Sequence, residues 1–143
     1  MSILVTPGQA GDNPELLPLL DQVSVRAPWG GRPRQKPRRV IADKAYSHPS
    51  TRRQLRARGI TFTCPERSDQ IARRRAKGPA GGRPPAFDKD VYKQRNVVER
   101  CFGRLKQFRG LATRYAKRVA YYRTEVVIAT IALWLRHEPQ DTP

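Results

Sequence analysis

Little in this chain could staple it together or anchor it. Its 143 residues include two cysteines, Cys64 and Cys101, too few for a disulfide framework or a metal cluster. Both read as reduced, ordinary residues of a cytosolic protein. No long hydrophobic run is present: the apolar stretch 126–135 is too short to span a bilayer. The opening MSILVTPGQAGD has neither a basic n-region nor a long apolar core, which excludes a signal peptide. Acidic residues are scarce, with 12 Asp and Glu against 29 Lys and Arg, a net charge of +17. That imbalance points to a polyanionic partner, with nucleic acid ahead of membrane. No basic amphipathic helix with a wide apolar face supports a membrane surface.

What is present suffices for one domain with a modest core. Residues 2–6 (SILVT) predict a β-strand, followed by turns at Pro7-Gly8 and Gly11-Asp12. Pro14 opens a short helix to about Val23, capped by Asp12 or Asn13. Residues 24–39 form a first basic flexible segment, divided between solvated linker and direct nucleic-acid contact. The run 39–42 (RVIA) reads as a buried strand that delivers Asp43 to its carboxyl end. Pro49 begins a helix capped by Ser47 and ended by Gly59, and 60–64 (ITFTC) forms the next strand. Strand, helix and strand at this spacing predict a parallel βαβ unit and an α/β fold. Residues 66–86 are a second basic flexible segment, with GPAGGRPP disordered when free. A last helix is predicted over 121–136.

Between the second basic segment and that last helix lies 88–110, DKDVYKQRNVVERCFGRLKQFRG. It predicts one helix, capped by Asp88 or Asp90 and ended by Gly110 in the left-handed conformation. At the helical period Val91, Val98, Phe102 and Leu105 make one apolar stripe facing a core. Tyr92, Arg95, Glu99 and Lys106 make a second stripe beside it, within about a sixth of the circumference.

Asp43 and Glu99 can be read together. Hard divalent ions such as Mg²⁺ are held by one or two carboxylates plus substrate phosphate oxygens. Arg95 and Lys106 would set cations where phosphates lie, and Tyr92 could bond a phosphate or stack on a base. Spacing alone leaves other readings open. Glu99 could form an i,i+4 ion pair with Arg95, Asp43 could cap a loop, and the stripe could be an ordinary charged face. A basic, non-catalytic nucleic-acid-binding protein would also account for the charge.

The string YKQRNVVERCFGRLKQFRGLATRYAK resembles the carboxyl-terminal signature of insertion-sequence DDE transposases, in which Tyr-x2-Arg-x3-Glu-x6-Lys surrounds the last catalytic acid. VIADKAYSHPSTRRQLRARGI is similar to the segment bearing their second catalytic aspartate, and TPGQAGDNPELLPLL to the segment after the first catalytic strand. The resemblance implies a partial ribonuclease-H-like catalytic domain across 1–143 and DNA transposition and recombination by endonucleolytic cleavage and strand transfer. It also implies Mg²⁺ or Mn²⁺ as cofactor and terminal-inverted-repeat and target DNA as partners. By position Asp43 matches the second acid and Glu99 the third, as metal ligands, while Tyr92, Arg95 and Lys106 match residues that hold DNA. The family's first aspartate precedes the TPGQAGD block and Asp12 does not replace it. The resemblance therefore implies a truncated or split, inactive chain, unless an upstream polypeptide supplies that acid. It further implies a homodimer on paired DNA ends and a bacterial cytoplasmic setting.

Overall fold

The computed structural model describes residues 2–7 and 9–136. They fall into two units, one formed by residue 2 with 9–95 and the other by 3–7 with 96–136. Gly8, half of the turn expected at Pro7-Gly8, lies outside the described residues.

The first unit is built on a strand–helix–strand. Strands β1 (Arg39–Ile41) and β2 (Thr61–Thr63) pair in parallel, Val40 opposite Phe62. The helix between them, α2 (Pro49–Ala57), has proline in its first turn, where no intrahelical N–H is needed. Its cap is His48, whose Nδ1 accepts the Ser50 N–H at 3.3 Å. Ser47, expected as the cap, is instead buried and turned into the preceding 3-10 turn. Gly59 ends the helix at φ +68. The Ile60 N–H reaches back to the Leu55 carbonyl and the Gly59 N–H to that of Arg56, each at 2.9 Å. That pair of bonds is a Schellman stop, and its companion hydrophobic contact is Leu55 with Ile60. Both are buried, and with Leu16 they form the core, onto which Leu20, Val40, Tyr46 and Phe62 pack.

Leu16 comes from α1 (Leu16–Asp21), entered through a 3-10 turn over Asn13–Glu15. The expected caps do not act as caps, since Asp12 makes no side-chain bond there. Asn13 Oδ1 instead accepts the Thr51 hydroxyl at 3.0 Å, pinning this turn to α2. Arg58 grips both Asp21 carboxylate oxygens at 2.6 and 3.3 Å.

The structure bears on three expectations for this part of the chain. Residues 2–6 form no strand, and the described sheet consists of β1 and β2 alone. The basic segment 24–39 is drawn together at one point by an antiparallel bridge between Val25 and Arg34. The second basic segment carries α3 (Ser68–Ala76) and a 3-10 turn over Gly78–Gly81.

The single helix expected over 88–110 is divided. Asp88 does cap it, accepting the N–H groups of Asp90 and Val91, but α4 stops at Lys89–Lys93. Gln94 and Arg95 then bond to the carbonyls three residues back, which tightens the backbone out of α geometry. In the second unit α5 (Asn96–Leu105) follows, then α6 (Arg109–Thr113) and α7 (Val119–Arg136). Gly110 lies inside α6, and Arg114, at φ +49, is the left-handed residue that ends it. Both α5 and α6 pack on α7. Of the apolar stripe expected to face a core, Val98 at 48% and Phe102 at 60% are exposed, while Val91 and Leu105 are half-buried. Among the described residues no helix is long and apolar enough to cross a membrane.

Candidate functional site

Asp43 sits just past β1, where the strand gives way to a 3-10 turn over Lys44–Tyr46. Its Oδ1 accepts the Ala45 N–H at 2.9 Å, an Asx cap of the kind a loop aspartate makes. Oδ2 makes no hydrogen bond among the described residues. The parallel ladder continues to this point, with the Ala42 N–H on the Thr63 carbonyl at 3.1 Å. Register therefore brings Cys64 beside Asp43. The buried Cys64 thiol donates to the Asp43 carbonyl at 3.0 Å and leans on that of Pro65 at 3.4 Å. Burial pushes this thiol up to about 11, with the Arg52 charge opposing and the Asp43 charge adding.

Arg52, on α2, fixes the other strand end. Its guanidinium donates to the Cys64 carbonyl at 2.8 Å and the Pro65 carbonyl at 3.3 Å, and lies 5.4 Å over the Phe62 ring. Tyr46 borders the same turn. Its phenol is held above its ordinary value, chiefly by burial and then by the Asp12 and Asp43 carboxylates. Sequence reasoning passed over Cys64, Arg52 and Tyr46. The register of a parallel β1–β2 pair was the signal that could have found Cys64.

Tyr92 and Arg95 come together in the first unit, the Arg95 guanidinium 5.5 Å above the Tyr92 ring. Phe87 packs on the same ring at 5.2 Å between centroids. Glu99 and Lys106 belong to the second unit. Glu99 is exposed in the first turn of α5. The Lys106 N–H bonds to the Phe102 carbonyl at 3.0 Å, so the α spiral reaches Lys106. Two turns apart, Glu99 and Lys106 share one side of α5. The quartet is thus two pairs, one in each unit. No group of three or more His, Cys, Asp or Glu among the described residues could hold a metal ion. Asp43 and Glu99 lie in different units, and one or two such carboxylates hold a divalent cation only together with water and substrate phosphate oxygens.

Comparison with known proteins places these residues in a family. A model for the transposase DDE domain matches residues 1–135. The chain is 34% identical over 118 residues to a Burkholderia cepacia protein named as transposase for insertion sequence element IS402. That alignment covers 82% of this chain and 48% of the relative, so the chain spans about half the length of the curated relative it matches. No solved structure matches.

Proposed function

Because this chain belongs to the transposase DDE domain family, we propose that it is part of the catalytic domain of an insertion-sequence transposase with a ribonuclease-H-like fold. It acts on DNA in a bacterial cytoplasm, with Asp43 and Glu99 as the second and third acids of the catalytic set. The reaction consists of two displacements at phosphorus. In the first, a water oxygen attacks a phosphodiester at the element's end and the bond to the 3′ oxygen breaks, freeing a 3′-hydroxyl. In the second, that hydroxyl attacks a target phosphodiester, forming the new strand joint and releasing a target 3′-hydroxyl. Arg95 and Lys106 supply positive charge for the phosphates, and Tyr92 orders Arg95 beneath them.

The observation that supports this most is the seat of Asp43. It stands at the carboxyl end of a strand in a parallel pair, a usual place for catalytic groups in open α/β sheets, with one carboxylate oxygen uncommitted. Family members generally use divalent metal ions. We assign strand cleavage and transfer to an assembly in which a further polypeptide brings the first acid to Asp43 and Glu99. Val98 and Phe102 on α5, with Ile128, Ile131 and Trp134 on α7, leave apolar surface exposed for such a polypeptide to cover. A homodimer on paired DNA ends is the form in which the assembly would act.

The test is cleavage of an end-labelled terminal-repeat duplex with Mg²⁺ or Mn²⁺ present. The chain alone should leave it intact, and adding a polypeptide that carries the first acid should produce nicked ends. Cleavage by the chain alone, abolished by Asp43→Asn, would show that the first acid is not needed from elsewhere.

A further inference from the structure

The segment 66–83 has almost nothing apolar to pack, yet it folds. It carries six basic residues and two acidic ones, with Ile71 its one large aliphatic side chain. A nine-residue helix of this composition is marginal on its own. Three ties hold it.

The first is the Arg74–Glu66 ion pair, whose side chains are only 21% and 16% exposed. The second runs from Gln70 Nε2 to the Ser47 carbonyl at 3.2 Å, anchoring α3 to the turn that follows Asp43. The third is a close backbone approach. A Cβ added at Gly81 would clash with the Arg74 backbone oxygen and lie 2.9 Å from Arg74 Cγ, so only glycine lets the 3-10 turn fold back on α3.

The two acids are taken up in fixing arginines. Glu66 holds Arg74, while Asp69 lies 3.1 Å from Arg67 and 3.9 Å from Arg73. Arg75, Lys77 and Arg83 are left exposed, and none forms an ion pair among the described residues. Like charges held on a fixed frame repel one another, and that repulsion is relieved when a polyanion neutralises them.

We propose that the α3 hairpin, residues 66–83, is a preformed platform for the phosphate backbone of duplex DNA, tied through Gln70 to the turn carrying Asp43. Arg75, Lys77 and Arg83 each take a phosphate. The inference rests on the transposase reading for its choice of DNA, but the surface itself is defined by the three ties.

The test is binding of a fluorescein-labelled duplex by the full chain, followed by anisotropy across a series of KCl concentrations. In the triple variant Arg75→Gln/Lys77→Gln/Arg83→Gln, the slope of log affinity against log salt should flatten by roughly two to three, near 0.9 for each phosphate that is no longer neutralised. Two charge-neutral variants test preorganisation. Gly81→Ala and Gln70→Ala should each weaken binding roughly three- to tenfold at fixed salt, the equivalent of about one hydrogen bond. If Gly81→Ala fails to fold by circular dichroism, Gln70→Ala carries that arm.

Binding that persists with the wild-type slope in the triple variant overturns the platform and leaves the transposase reading standing. Wild-type affinity in the folded charge-neutral variants overturns preorganisation. A wild-type chain that does not bind duplex DNA even at low salt removes the reading beneath the inference, and the inference with it.

Discussion

The thiol of Cys64 donates to the backbone carbonyl of Asp43 across 3.0 Å, joining the ends of the two parallel strands just beyond their last paired residues. The bond acts on the main chain, so it fixes where Asp43 stands and leaves its carboxylate free to work. Arg52 completes the clasp from the other side by holding the Cys64 carbonyl at 2.8 Å.

A thiol so placed should be inert in the folded state. Thiol-directed reagents should modify the half-buried Cys101 first and reach Cys64 only on unfolding. The pH dependence has a definite sign. Burial raises the folded thiol from its ordinary 9.0 to about 11, so the folded state binds this proton more tightly than the unfolded chain. Its contribution to stability is full below pH 9.0 and is lost as pH climbs towards 11. Urea midpoints measured across that window should fall in the wild type and fall less in Cys64→Ala.

Loss of the α2 stop should be graded. Gly59→Ala forces a Cβ into left-handed backbone and should lower unfolding free energy by about 1–2 kcal/mol. Leu55→Ala removes the fully buried centre of the core and should lower it by about 2–5 kcal/mol. Denaturant titrations that rank these two the other way would contradict the packing described here.

Arg114 offers the opposite case. As a non-glycine residue at φ +49 it carries left-handed strain at the end of α6. Arg114→Gly should therefore raise the thermal midpoint, with a gain of about 1 kcal/mol.

The legible parts of this fold were those with local punctuation. Pro49 and Gly59 bracket α2, the short apolar runs on either side give β1 and β2, and the apolar run near the carboxyl end gives α7. The break at Gln94 and Arg95 had no such mark, since neither proline nor glycine stands there. Period revealed a stripe through Val98 and Phe102 but could not say whether anything covers it. The helix α3 was hidden because long-range polar ties hold it, Gln70 to Ser47 and Arg74 to Glu66, and no hydrophobic pattern records them. At the site, Asp43 was readable from its place after a strand. Its clasp by Cys64 and Arg52 depended on strand register and became visible only in three dimensions.

The central claim is that Asp43 and Glu99 serve one reaction on DNA. The measurement that tests it most directly is cleavage of a terminal-repeat duplex by the chain reconstituted with a polypeptide carrying the first acid, comparing wild type with Asp43→Asn and Glu99→Gln. Each substitution should abolish cleavage while leaving salt-dependent DNA binding in place. Cleavage that survives either substitution would contradict the assignment.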